Sequence, residues 1–270
     1  MNVINLDAAT REPIQGHTSK GDQPKWQLGG KWYKADHMGY EALAEVVATQ
    51  MLKRSNVPDF VEYEPVRVLY QGREINGCAS ENFRGKDEML VPFERLHRAY
   101  RGEGMAAALS RIGELRERIR YAVDFVAETT DLCGVGEYLS LLLELDAFLL
   151  NEDRHTNNLA VIRSENTMKF RLCPVFDNGL SLLSDLNDYP LAGDVYESVR
   201  RVRAKPFDMD FDVQAEAAEA LYGTHLKFSF TRYEVPKMLD AMRPYYPAAV
   251  IARVEQTIYE QMRKYPIYFS

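Results

Sequence analysis

The 270-residue sequence predicts an α+β fold in two lobes: a small, mainly antiparallel β lobe with one helix, then a larger, mainly helical lobe. Three observations predict it. Apolar residues recur with a period near two up to about residue 83 and nearer four beyond it. Gly29-Gly30 and Gln71-Gly72-Arg73 stand between aromatic and β-branched runs, as hairpin turns do. A long apolar run at 138–150 has the length of a buried helix and is followed by two short strand-like runs. The boundary falls at Arg84-Gly85-Lys86-Asp87, giving lobes at 1–84 and 85–270.

In the first lobe, residues 1–7 suit an edge strand, and 8–24 form a polar stretch rich in Gly, Thr, Ser and Lys. Residues 25–28 and 31–34 read as a hairpin in which Lys34 alternates with Trp32 and shares its face. A helix is predicted over 38–52, with Leu43, Val46, Val47, Gln50 and Met51 on its apolar side. Glu41 and Glu45, four apart, lie together on this helix, and either is able to meet Lys34. Residues 60–69 and 74–82 read as the next two strands.

In the second lobe, 92–100 and 112–128 are expected to be amphipathic helices separated by Gly102-Glu103-Gly104. The charges from Glu114 to Arg120 read as a solvated helix face. After the helix at 138–150, residues 159–162 and 168–173 read as a hairpin with a polar turn. Further helices are expected at 213–221, 236–242 and 248–265, with Tyr245, Tyr246, Tyr259 and Tyr265 as packing residues.

The chemistry concentrates at the two ends of that hairpin, in Asn151-Glu152-Asp153-Arg154-His155-Thr156-Asn157-Asn158 and in Asp177-Asn178-Gly179. Two carboxylates, an amide and an imidazole are thereby brought to one edge. The set suits phosphoryl transfer, which needs a carboxylate to take a hydroxyl proton and oxygen ligands to hold Mg²⁺ against a triphosphate. Asp153 to Asn158 is the Asp-x-x-x-x-Asn interval of a kinase catalytic loop. Asp153, His155 and Asn158 are therefore the catalytic candidates, Asn158 and Asp177 the metal candidates, and Arg154 a brace for the loop. In such chemistry a strand lysine, here Lys34, holds the α- and β-phosphates and pairs with a helix glutamate. The alternative for each residue is ordinary: a polar surface loop, a solvated strand lysine, an exposed glutamate.

Asp-Arg-His-x-x-Asn, a hairpin and Asp-x-Gly together resemble the HipA-like kinases, whose catalytic-loop word order is shared with phosphoinositide kinases. Gly21-Asp22-Gln23-Pro24-Lys25-Trp26, Trp32-Tyr33-Lys34-Ala35-Asp36 and Gly39-Tyr40-Glu41-Ala42-Leu43-Ala44-Glu45 look like the compact CtkA-type branch of bacterial Ser/Thr kinases. The resemblance is strongest at 18–83 and 146–182 and thins after about residue 200. It implies a bilobal protein-kinase-like fold, use of ATP and Mg²⁺, a protein substrate and autophosphorylation. It places a phosphate-covering loop at 17–24, with Ser19, Lys20 and Gly21 against the nucleotide and Thr18 or Ser19 as acceptors. It also implies an inter-lobe hinge at Glu81 and Phe83, where backbone groups meet adenine. Nothing in it implies a toxin–antitoxin or virulence role.

The loop at 17–24 is not a Walker A motif, since G-x-x-x-x-G-K-[ST] is absent. After Asp177-Asn178-Gly179, residues 180–210 are polar and broken by Pro190, Gly193 and Pro206, the composition of a mobile substrate-facing loop. Ser181, Ser184, Tyr189 and Ser198 lie within it, and Arg200, Arg201 and Arg203 either meet phosphate there or face water.

Composition narrows the class. A net charge of −7 argues against a nucleic-acid binder, and 46% hydrophobic with 27% charged residues is ordinary for a globular protein. No membrane span or Sec leader is expected. Three separated cysteines without a C-x-x-C pair suit a reducing cytoplasm. Beside an ATP-dependent Ser/Thr kinase stand a lipid or small-alcohol phosphotransferase, an inactive nucleotide-binding scaffold, and a metal hydrolase built on Asp153, His155 and Asp177.

Overall fold

The structure is a computed structural model in which residues 3–11 and 23–269 are described. It has the expected bilobal α+β architecture, a β-rich first lobe and a helical second one.

The first lobe is a six-stranded sheet in the order β1-β5-β6-β4-β3-β2. Its strands are β1 (Val3–Asn5), β2 (Thr10–Arg11), β3 (Lys25–Leu28), β4 (Lys31–Ala35), β5 (Glu64–Tyr70) and β6 (Arg73–Glu81). Only the β1–β5 pair is parallel. Gly29 and Gly30 both have positive φ, 60° and 84°, as the tightest hairpin turn demands. That turn sets the register and pairs Lys25 with Lys34 across the ladder. One sheet face closes a small core around Leu6, Trp26, Tyr33, Ala35, Val68 and Ala79.

Against the sheet lies α1 (Glu41–Leu52), where one apolar side is the expectation. Instead every residue but Gln50 is buried, because α1 is wedged between the sheet and the second lobe, touching α8 (Val235–Leu239). The strand expected from residue 60 starts only at Glu64. Phe60 and Val61 run beside Val175 of the second lobe instead, with the Val61 and Val175 N–H groups donating to Val175 O and Asp59 O.

The second lobe begins with β7 (Glu88–Pro92), a strand absent from the sequence reading because the run is short and ends in proline. It pairs with β8 (Ala160–Ser164), which pairs with β9 (Phe170–Leu172), so the expected hairpin is the inner part of a three-stranded antiparallel sheet. The remaining helices are α2 (Phe93–Arg101), α3 (Met105–Leu109), α4 (Leu115–Thr130), α5 (Val135–Leu149), α6 (Val195–Arg201), α7 (Phe211–Tyr222) and α9 (Ala248–Lys264). The short helices α3 and α6 go beyond the sequence reading. Central to the lobe is α5, buried from Leu139 to Leu149 and stopped by Leu150, whose φ of 59° turns the chain toward residues 151–158.

Residues 180–185 do not form the polar loop expected of them. Leu182 and Leu183 enter the main core, and Ser181, Ser184 and Asp185 are buried. The backbone explains this: Tyr40 N–H donates to Ser184 O, Tyr40 Oη to Leu182 O, and Leu186 N–H to Met38 O. This contact needs Gly39, since a Cβ there would lie 2.1 Å from Ser184 O.

Asp36 opens α1, accepting from Ala42 N–H (2.8 Å) and from Tyr246 Oη (2.7 Å). Lost hydration raises its carboxyl to about 8 in the fold. The folded value lies above the unfolded one, so its contribution is complete below about pH 4 and fades as pH rises through 8. Asp36→Asn, which does not titrate, is expected to gain stability relative to the wild type between pH 5 and pH 8. Urea midpoints at the two pH values check this; a constant difference would contradict it.

Candidate active site

The site is assembled where α5 ends. Asp146, fully buried on its last turn, faces Arg154, whose Nε and Nη2 lie 2.9 and 3.0 Å from Oδ2 and Oδ1. Arg154 also donates to Phe176 O (2.8 Å), Asn158 O (3.3 Å) and Asn178 Oδ1 (3.0 Å). One guanidinium therefore ties the loop 151–158 to residues 176–178, the bracing role expected of it. Asn151 completes the frame, donating through Nδ2 to Asp146 Oδ1 and accepting from Asp153 N–H.

That frame presents Asp153. Asn158 Nδ2 donates to Asp153 O (2.8 Å) and approaches Oδ2 (3.3 Å), which leaves the Asn158 Oδ1 free of those contacts. Asp153 Oδ1 is buried and has no hydrogen-bond partner; His155 Nε2 is 3.6 Å away and Lys205 Nζ 3.8 Å. Burial, reinforced by the charge of Asp177, pushes the Asp153 carboxyl up to about 7 against the opposing Lys205 and Lys25. Burial and the charge of Lys205 lower His155.

Across from Asp153 lies a row of charges. Asp177, at φ 60°, places Oδ1 2.6 Å from Lys34 Nζ and Oδ2 3.5 Å from Lys25 Nζ. Lys34 is ion-paired with Glu45 as well, and the Glu45 Oε2 accepts from Asn178 N–H (2.9 Å). Burial would discharge Lys34, but Asp177 and Glu45 outweigh it and raise the ammonium. Burial likewise opposes ionisation of Asp177, and Lys25 and Lys34 reverse it, holding the carboxyl far below its usual range. The Tyr63 ring lies 5.0 Å from the Lys34 ammonium.

The choice between Glu41 and Glu45 is settled by distance. Glu41 is occupied at the start of α1, accepting from the N–H groups of His37, Met38 and Gly39 (3.1, 2.7 and 2.9 Å), so it does not pair with Lys34. At the lobe junction, the Glu81 carboxylate points outward to Lys31 (2.8 Å). Phe83 packs beside Phe176, centroids 5.8 Å apart, on an apolar patch of Ala160, Ile162 and Cys173. Ser19, Lys20 and Gly21, together with Thr18, lie outside the described residues. Ser198 donates to Asp194 O, and Tyr189 to Glu152. Arg200 pairs with Glu197, Arg201 lies over Tyr189, and Arg203 meets backbone carbonyls, all on the exposed surface.

Two charged residues escape the sequence reading. Lys25 was legible, because a two-residue turn at Gly29-Gly30 places it opposite Lys34. Lys205 had no local signal; its segment reaches Asp153 only through the packing of the second lobe. Among the described residues no cluster of three His, Cys, Asp or Glu side chains is arranged to hold a metal. None of the described helices is long and apolar enough to cross a membrane.

No family model and no curated protein sequence matches the chain. Among solved structures it is similar to the Helicobacter pylori proinflammatory kinase CtkA, at a TM-score of 0.60 and 16% identity over 97% of this chain and 95% of that one. It is also similar to a chain of the Shewanella oneidensis HipA–HipB–operator DNA complex, at 0.55 and 12%, over 96% of this chain and 68% of that one. At these identities the likeness is one of fold.

Arg154→Ala would strand a buried carboxylate and release the carbonyls of Asn158 and Phe176. It is expected to lower unfolding free energy by about 3–5 kcal/mol, as breaking a buried pair does, with Arg154→Lys intermediate. Urea denaturation measures this, and a loss below about 1 kcal/mol, the scale of a surface pair, would refute the bracing role.

Proposed function

We propose that this protein is an ATP- and Mg²⁺-dependent kinase acting on Ser or Thr hydroxyls of protein, itself included. The observation that carries the reading is the Glu45–Lys34–Asp177 row standing opposite Asp153 and Asn158. An ammonium held by a helix glutamate, beside a carboxylate and across from an Asp–Asn pair, is what nucleotide phosphates and their metal require.

Lys34, oriented by Glu45, would contact the α- and β-phosphates, with Lys25 adding charge from the neighbouring strand. The hard oxygens of Asp177 and Asn158 fit Mg²⁺, which when bound would neutralise charge on the phosphates. The apolar patch around Phe83, Ala160 and Ile162 is suited to a purine face. Asp153 Oδ1, without a hydrogen bond of its own, is the atom to which an acceptor hydroxyl would give its proton. The hydroxyl oxygen then bonds the γ-phosphorus as the bond to the β,γ-bridging oxygen breaks, and ADP leaves. Arg154 keeps Asp153 and Asp177 in mutual position through Asn158, Phe176 and Asn178.

Transfer from γ-labelled ATP is expected from the wild type and lost on chelation of Mg²⁺. Asp153→Asn and Asp177→Asn should each reduce it by about 10³-fold or more, at the scale of general-base and electrostatic contributions. Circular dichroism should show both variants folded. Undiminished transfer by either would overturn the role assigned to it.

A further inference from the structure

The two basic side chains beside Asp153 Oδ1, His155 and Lys205, also border a second feature. Between α3 and the segment carrying Lys205 and Pro206 lies a hollow of about 380 Å³, at the lower end of the range for ligand clefts. His155 and Lys205, the side chains nearest Asp153 Oδ1, are part of its wall. Ala106, Leu109 and Pro206 supply its apolar surface, and Arg118 a second positive charge. No acidic residue is among the described residues lining it. The nucleotide side of Asp153 is different: Oδ2 is turned to Asn158, and the charged row at Asp177, Lys34 and Lys25 contains both signs. The two oxygens of this carboxylate thus have different neighbours, Asn158 at Oδ2 and the basic side chains of His155 and Lys205 at Oδ1.

Arg118 is held in place, donating through Nη1 to Phe207 O and through Nη2 to Gly113 O (3.3 Å), while its buried Nε has no partner. Lys205 is less committed. Its side chain is 42% exposed, and its approach to Asp153, at 3.8 Å, is too long for a hydrogen bond. An acceptor hydroxyl seated on Asp153 Oδ1 would enter beside this ammonium, whose remaining donors would face whatever flanks the hydroxyl. The described residues lining the hollow carry positive charge at Lys205 and Arg118 and no carboxylate, so an anionic group on the acceptor is the complementary chemistry.

We propose that the hollow between α3 and Lys205–Pro206 is the acceptor subsite, and that Lys205 is a specificity residue selecting hydroxyls flanked by carboxylates on an acidic protein segment. The proposal rests on the kinase reading above and adds no step to it. The proton still passes from the hydroxyl to Asp153, and the phosphoryl group from ATP to the hydroxyl oxygen.

The test uses the full chain with two acceptors of opposite charge, dephosphorylated casein and myelin basic protein, and compares wild type, Lys205→Met and Lys205→Glu. The quantity read is the ratio of kcat/KM for casein to that for myelin basic protein, in which a general loss of activity cancels. The wild type is expected to favour casein. Lys205→Met should lower the ratio, and Lys205→Glu should lower it by about tenfold or more, the scale of exchanging a charge-assisted hydrogen bond for repulsion. A wild-type preference for the basic acceptor overturns the proposal. So does a ratio that stays constant while both transfers fall together, which would put Lys205 on the nucleotide instead. Autophosphorylation without transfer to casein also overturns the proposal, whereas no transfer at all, to itself or to either acceptor, overturns the kinase reading. If Lys205→Glu fails to fold by circular dichroism, the ratio for Lys205→Met decides.

Discussion

A buried lysine ammonium is the constraint around which the two lobes are arranged. Lys34 is buried, and an unpaired cation in that position costs several kcal/mol. Glu45 reaches it from α1 and Asp177 from the second lobe, so neither lobe by itself supplies both counter-charges. The surrounding contacts serve that meeting. Glu45 also takes Asn178 N–H, the backbone of Gly39 and Tyr40 lies against Ser184, and the Asp59–Val61 segment runs beside Val175. Residues 180–185 are drawn into the core by the same closure, which is why a stretch of loop-like composition packs as interior.

Beneath the charged row sits a second buried pair, and its task is different. Asp146 and Arg154 direct their hydrogen bonds to one another and to the carbonyls and amides of residues 151–158 and 176–178. Within loop 151–158 the N–H groups of Asp153, His155 and Asn158 donate to Asn151 Oδ1, Asp153 O and His155 O, and Asn158 Nδ2 donates to Asp153 O. Asp153 Oδ1 differs, with His155 Nε2 and Lys205 Nζ at 3.6 and 3.8 Å, beyond hydrogen-bonding distance.

How much of this is legible in the sequence depends on the range of the interaction concerned. Hairpins follow from turns two residues long, and the Lys25–Lys34 register can be read from the same turn. Most helices follow from their apolar period, though α1 reads as one-sided because the sequence does not say what covers its outer face. The spacing within 151–158 and 177–179 identifies the loop residues, yet it leaves Glu41 and Glu45 equivalent, since both lie on the same side of α1. What separates them is that Glu41, in the first turn, lies beside three backbone N–H groups that need an acceptor. Lys205 is invisible for the opposite reason: its segment carries no periodicity, and its partner is far away in sequence.

The sequence by itself determined the elements with local causes: strand and helix periods, glycine turns with positive φ, and the order of Asp, Arg, His and Asn along one loop. Each depends on neighbours within a few residues, where backbone sterics and side-chain spacing decide the outcome. The tertiary structure alone decided which carboxylate meets which cation, which oxygen of Asp153 stays bare, and which polar stretch becomes core. Those outcomes turn on burial and on distances of a few ångströms between remote segments, where removing water multiplies the strength of charge–charge interactions.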